Sequence, residues 1–294
     1  MTVFRNFFPF CLALLLGLSV RSTALNAQAH RAGSSKELGY QVGTMWYLGD
    51  LNPTNLFRSV SHTAQGAYFR YNVNSRLSVR AQFLQGAVEV WDANHPNAHQ
   101  QRRDLHFYNQ VNELSFTTEL NFRDHVVGNP KRRLVPFLTA GLGFFGHDPT
   151  GFSATGIPQP LQSVGTEGQG WYPEVKEYRL RGVMLPFGLG WKGTLGSTMS
   201  FQIEWSARKL WTDYLDDVST VYRNPALADE DPGSSLVKFE GTPPYVLGED
   251  EETWDAYPAE VYQRGDPGRN DRYGFFLVSL GFRVSKKATT CWEQ

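Results

Sequence analysis

Along residues 199–211 apolar and polar side chains take turns. Met199, Phe201, Ile203, Trp205 and Ala207 share one parity, and Ser200, Gln202, Glu204, Ser206 and Arg208 share the other. Successive side chains of an extended chain point to opposite faces, so this stretch builds one apolar wall and one polar wall. Seven further segments do the same. In 37–48, Leu38, Tyr40, Val42, Thr44 and Trp46 oppose Glu37, Gly39, Gln41 and Gly43. In 64–72, Ala67, Phe69 and Tyr71 oppose Tyr68 and Arg70; in 77–86, Leu77, Val79, Ala81 and Phe83 oppose Ser78, Arg80, Gln82 and Gln85, with a slip of phase at Leu84 that reads as a membrane edge. Segment 113–122 sets Leu114, Phe116, Thr118, Leu120 and Phe122 against Glu113, Ser115, Thr117, Glu119 and Asn121. Segments 134–145, 180–193 and 273–284 complete the set, and Pro186 inside the second of these predicts a bulge or a missing ladder bond.

The connections alternate in length. Residues 73–76, 123–133 and 194–198 are tight or short, whereas 49–63, 87–112, 146–179 and 212–272 are moderate to very long. Eight alternating segments joined this way predict an all-β fold: an eight-stranded antiparallel transmembrane β-barrel with short periplasmic turns, long external loops and no soluble second domain. A closed ring pairs every backbone group in lipid, which an open sheet cannot do. The competing reading is a soluble eight-stranded barrel of the lipocalin kind with its polar face outward. The membrane reading is preferred because the polar faces carry glycine and opposite charges that can pair across a narrow lumen. Trp46, Tyr47, Tyr71, Phe122, Trp191, Trp211 and Tyr273 stand near strand ends, where interfacial girdles form.

Residues 1–29 read as a signal peptide: Arg5, then an apolar run through Val20, then Ala24, Ala27 and Ala29. Segment 30–36 is then a periplasmic N-terminal segment, 37–284 the barrel with its acidic loop 212–272, and 285–294 a C-terminal tail. Beyond the signal only Cys291 remains, so an internal disulfide is excluded. Aromatic residues make up 14% of the chain and glycine 28 positions, which suits strands with close backbone approaches. Net charge is −1, but the loop from Asp213 to Arg272 holds fifteen acidic and five basic residues.

An eight-stranded barrel is too narrow for an open channel and is filled by side chains. Arg70, Arg80, Glu113, Glu119, Glu204 and Arg208 fall on the polar parity, so an ion-pair network is expected to plug the lumen, since buried charges require partners. It serves as structural filling or as a path for protons or ions. The turn 123–133 carries Arg123, Lys131, Arg132 and Arg133 against Asp124 alone, either a docking surface for an acidic partner or an ordinary solvated turn. As a hydrolase candidate, His147 and Asp148 lie near Ser153, although His-Asp-Pro-Thr-Gly also reads simply as a turn. Motifs for zinc proteases, phosphate loops, nucleophile elbows and EF-hands are missing, and basic stretches lack aromatic interleaving. No cofactor, metal, nucleic acid or small-molecule substrate is expected. Arg264–Asp266 spells RGD, to which no role is assigned.

Several stretches resemble one family: ELGYQVGTMWYLGDLNP (37–53), AYFRYNVNSRLSVRAQ (67–82), FLTAGLGFFGHDP (137–149), VGTEGQG (164–170), LPFGLG (185–190), TDYLDDVSTVY (212–222) and RGDPGRNDRY (264–273). In their order and content they resemble the PorG-type outer-membrane barrel proteins of the type IX secretion system of Bacteroidetes. The resemblance implies a non-enzymatic outer-membrane component of the secretion and gliding machinery that helps tie a periplasmic ring of a lipoprotein and its partner to the membrane. Its partners would be those ring proteins and outer-membrane lipid. It brings no catalytic residues. Strand parity puts TDYLDDVST on the external side. There Asp213, Tyr214, Leu215, Asp216 and Asp217 either cap the lumen, with Tyr214, Leu215 and Val218 packed over its mouth and the aspartates bonding loop backbones, or bind an external partner.

Overall fold

The computed structural model describes residues 34–53, 55, 60–96, 101, 105–129, 134–152, 156–170, 173, 175–221 and 264–284. Among the described residues eleven strands form one sheet: β1 (Ser35–Leu48), β2 (Val60–Ser61), β3 (Thr63–Asn72), β4 (Leu77–Trp91), β5 (His106–Asn121), β6 (Val135–Gly146), β7 (Pro149–Phe152), β8 (Pro158–Pro160), β9 (Arg181–Leu195), β10 (Met199–Lys209) and β11 (Arg272–Arg283). Eight of them, β1, β3, β4, β5, β6, β9, β10 and β11, pair antiparallel in a closed ring, sealed where the first strand meets the last. The ring is staggered. The partners that leave Ser35 run through Asn72, Ser78, Glu119, Thr139, Gly188, Ser206 and Phe275 and return to β1 at Met45, ten residues on. Such a stagger tilts the strands and lets inward side chains interlock in layers.

The alternation decides which wall faces where. Leu38, Tyr40, Val42, Phe69, Val79, Phe83, Leu114, Phe116, Leu138, Leu142, Phe187, Leu189, Ile203, Val278 and Leu280 all point outward and are exposed, making a continuous apolar belt. Glu37, Gln41, Arg70, Arg80, Gln82, Glu113, Glu119, Lys192, Gln202, Glu204 and Arg208 point inward and are buried. No described helix is long and apolar enough to cross a membrane; that test does not bear on strands.

Three expectations need correction. Strand β4 does not slip at Leu84. It continues in phase to Trp91, with Leu84 fully buried inside and Gln85 outside, bonded through Nε2 to Asn112 Oδ1 at 3.0 Å. What changes at Leu84 is the lumen lining, which turns from polar to apolar toward the loop end. Accordingly, most of 87–112 is not loop but the upper halves of β4 and β5, paired as far as Trp91 and His106. Tyr47 and Tyr273 do not join a girdle; both are fully buried inside, and the Tyr273 hydroxyl lies 3.1 Å from Glu113 Oε2. At Pro186 the ladder to β6 omits Gly141 and Leu142 and resumes in unchanged register, so the proline removes ladder bonds without forming a bulge.

Above the rim, β2 pairs with β4, β7 with β5, and β8 with β7. The β8 edge is Pro-Gln-Pro, which leaves few donors for another strand. On the outer wall Trp46 of β1 stacks on Trp205 of β10 across β11, with ring centroids 5.7 Å apart. A Cβ at Gly274 would fall 2.2 Å from the Trp46 ring, so only glycine admits this stack.

Candidate functional site

Two buried polar clusters occupy the lumen and its loop-end mouth. The lower one lies in the turn-side half of the barrel. The structure brings together all six residues read from the polar parity and adds Glu37 and Lys192. Arg80 grips Glu204 with two nitrogens at 2.7 and 3.0 Å, and Arg208 grips Glu113 at 2.9 and 2.8 Å. Glu119 is the hub: Lys192 Nζ lies 2.6 Å away, Arg70 Nε 3.0 Å and Arg80 Nη1 3.2 Å. Arg70 also reaches Glu37 at 3.4 Å. Four carboxylates thus face four cations, and Gln202 links the two halves by donating to Glu204 at 2.6 Å and accepting from Arg70. Glu37 was legible as an inward position of its strand, and Lys192 falls on the inward parity of β9. At the turn end His125 is buried, and burial, with Lys192 next, lowers its pKa to about 3, so it stays neutral.

The upper cluster is built from loops. Leu215 and Val218 are fully buried against the apolar upper lumen, in one core with Met45, Leu84, Phe107, Phe145, Met184 and Phe275. Tyr214 does not insert with them; it is half-buried and stacks on Tyr178 at 4.5 Å. Asp217 has φ of 68°, a left-handed geometry that costs free energy for a non-glycine residue. Three partners hold it: Tyr178 OH at 2.7 Å, Thr166 Oγ1 at 2.6 Å and Arg264 Nη2 at 3.0 Å. Arg264 is buried, donates also to the Asp217 carbonyl, and lies 3.2 Å from Glu167 Oε1. Glu167 in turn accepts the backbone N–H groups of Ser219 at 2.8 Å and Thr220 at 3.0 Å. Asp266 N donates to Asp50 at 2.9 Å. The segments 49–53, 164–170, 212–220 and 264–271, far apart in the chain, therefore converge on one plug. The RGD triplet, which carried no expectation, supplies its central cation; only tertiary structure reveals this.

Asp216 and Asp271 meet at one hydroxyl. Tyr47 OH contacts Asp216 Oδ2 and lies 3.2 Å from Asp271 Oδ1. Asp271 Oδ2 accepts the N–H of Leu215 at 2.8 Å and Asp216 Oδ1 that of Val218 at 3.0 Å. One phenol proton cannot serve two carboxylates, so one of the pair is the acid and supplies the second proton. Burial, followed by neighbouring acids, raises both Asp216 and Asp271 well above the carboxylate range. Asp213 is pushed up to about 7 by burial, and Asp50 and Asp266 add to it.

His147 is buried, with Nδ1 3.3 Å from Asn109 Nδ2, an amide donor rather than a carboxylate. Burial lowers its pKa to about 4. Asp148 is exposed and gives its N–H to Asn109 Oδ1 at 3.0 Å; Ser153 lies outside the described residues. Arg123 is exposed at the turn end. Lys131, Arg132 and Arg133, the signal 1–29, residues 30–33, the loop 222–263 and the tail 285–294 lie outside the described residues. No group of three or more His, Cys, Asp or Glu side chains suited to a metal ion occurs among the described residues.

A family model described as DUF6089, a domain of unknown function, matches residues 11–155. No curated protein matches the sequence. Among solved structures the chain is similar to Neisserial surface protein A (8% identity, TM-score 0.42, covering 86% of this chain and 99% of that one). It is also similar to Ail, the attachment invasion locus protein of Yersinia pestis (12%, 0.39, 86% and 99%), and to the outer membrane protein OprG from Pseudomonas aeruginosa (10%, 0.37, 88% and 99%).

Proposed function

We propose that this chain is an integral outer-membrane barrel that serves the type IX secretion and gliding machinery without catalysing a reaction, by tying the periplasmic ring to the membrane. The observation that carries the membrane half is the inverted solvent pattern: an unbroken apolar wall outside and paired charges inside. A soluble barrel presents the opposite. The long connections all leave from one end, which faces the cell exterior by the usual loop asymmetry, and the turns face the periplasm. A lumen blocked by ion pairs below and a loop plug above offers no conduit, which suits an anchor better than a channel. The resemblance of its ordered stretches to PorG-type proteins supports the secretion half, and the solvated turn carrying Arg123 is the surface open to the ring proteins.

Two experiments test the halves separately. Placing arginine at Phe116, in the exposed belt, is expected to cost about 2–4 kcal/mol for the barrel folded in a bilayer, read from its urea midpoint in vesicles. A negligible change there would sink the membrane reading. Deleting the gene is expected to stop export of type IX cargo, and pull-down of the intact protein is expected to recover the periplasmic ring proteins. Normal export, with no ring proteins recovered, leaves a stand-alone surface barrel instead.

A further inference from the structure

Lys209 ends β10 and Arg272 begins β11, and the two are direct cross-strand partners. Arg208 and Tyr273, their neighbours, are buried inside, so Lys209 and Arg272 both point outward, and both are exposed. Side chains so paired have Cβ atoms about 5 Å apart, and like charges in that position repel. No hydrogen bond or ion pair holds either one among the described residues. Outward residues directly beside them are Leu185 and Leu48, which bring no anion.

Their level on the wall is specific. Toward the turn end the outward positions of the same two strands are Ala207, Trp205 and Ile203 on β10 and Gly274, Phe276 and Val278 on β11. Trp46 and Trp205 stack there across Gly274. Toward the loop end comes Trp211, 56% exposed. Tryptophan on both sides marks the interface between hydrocarbon and headgroups. Elsewhere on the outer wall toward the loop end Gln85 bonds Asn112 at 3.0 Å, Glu89 holds His62 at 3.0 Å and His106 at 3.1 Å, and Arg181 of β9 is a further exposed cation. On β10 and β11 two cations stand directly side by side, with no partner among the described residues.

We propose that Lys209 and Arg272 form a clamp for the phosphate of an anionic lipid headgroup in the outer leaflet, whose acyl chains lie along the Trp46–Trp205 slab. The guanidinium fork and the ammonium point charge together neutralise a phosphate placed between them. The repulsion that each strand pair otherwise bears becomes an attraction shared through the anion. The assignment rests on the outer-membrane reading above, because it needs the loop end in the outer leaflet. It commits to a lipid rather than a free anion because, among the described residues, the cations adjoin an apolar wall with no enclosing polar shell.

Native mass spectrometry of the full-length protein, released from detergent with added bis-phosphorylated lipid A, tests the clamp. Each basic side chain at a phosphate surface is worth about fivefold in binding, so K209Q/R272Q is expected to retain the lipid about thirtyfold more weakly than wild type. K36Q, which removes a cation from the turn end, is expected to retain it fully. Lipid A stripped of phosphate is expected to bind wild type and double variant alike, and inorganic phosphate is not expected to displace the intact lipid. Equal retention by wild type and double variant overturns the clamp, and so does displacement by inorganic phosphate. Whether both proteins fractionate with outer membranes and show heat-modifiable gel mobility is scored first. A wild type that fails this fails the membrane reading, whereas folded, membrane-borne proteins with equal lipid retention fail the clamp alone.

Discussion

Replacing Glu119 with glutamine is expected to destabilise the barrel by about 3–5 kcal/mol, the usual cost of stranding buried charge. Glu119 is the one carboxylate touched by three cations, Arg70, Arg80 and Lys192. Losing its charge leaves four buried cations against three carboxylates. Lys192 suffers most, because Glu119 is its ion-pair partner. The remainder is already paired one to one: Arg70 with Glu37, Arg80 with Glu204, Arg208 with Glu113. Hence the double variant Lys192→Met with Glu119→Gln is expected to recover most of the loss. Urea midpoints of the detergent-folded protein, followed by gel mobility, measure both. A single variant as stable as wild type would show that the network does not bear on stability.

The second large effect concerns the loop plug and pH. Asp213 and one carboxyl of the Asp216–Asp271 pair hold protons in the folded plug that an unfolded segment releases near the ordinary carboxylate range, about 4. A raised folded pKa contributes stability that is complete below the unfolded value and is lost as pH rises through the folded one. The plug is therefore expected to loosen as pH rises above the ordinary carboxylate range, with Asp213 titrating near 7 and the raised Asp216–Asp271 pair contributing in the same direction. Amide exchange at Leu215 and Val218, corrected for intrinsic base catalysis, reads this locally. Asp271→Asn is the sharper variant. Its amide oxygen can accept from Leu215 N and its NH2 can donate to the Tyr47 oxygen, satisfying every contact without a titrating proton. It is expected to preserve the plug and to remove the share of the pH dependence that comes from the Asp216–Asp271 pair, leaving the step of Asp213 near 7. A variant with the wild-type pH profile would assign the effect elsewhere.

The strands and their faces were legible because a barrel in lipid keeps period two: one wall meets hydrocarbon and the other meets paired charge. That contrast vanishes where the lumen itself turns apolar. Around Leu84, Val88, Phe107 and Val111, inside and outside carry similar residues, so the pattern looked like the end of a strand although the ladder continues to Trp91 and His106. Tyr47 and Tyr273 misled for a related reason. An aromatic ring near a strand end suits the girdle or the core equally, and only its hydroxyl partner, buried inside, decides. The plug was partly legible. TDYLDDVST stood out as a turn-rich acidic segment, but nothing local ties Asp217 to Arg264 or Ser219 to Glu167, because those bonds span long sequence separations. Lys192 and Glu37 were visible as inward positions and gained their meaning only when the ring stagger set them beside Glu119 and Arg70.

The seam where β1 meets β11 has a consequence for the order of assembly. The plug takes Asp50 and Tyr47 from just beside the first strand, Asp271 and Arg264 from just before the last, and Glu167 and Asp217 from between. The bonds of Tyr47 to Asp216 and Asp271 and of Asp50 to Asp266 cannot form until β1 has met β11, since they cross that seam. The cost of closing the seam is thus met by strand pairing, and the plug's bonds across it become available afterwards. The plug works as a latch on a finished ring: it raises the barrier to reopening of the seam while adding nothing to the speed of closure. A ring closed with a missing strand could not seat it, so the seated plug distinguishes the complete barrel from every partial one.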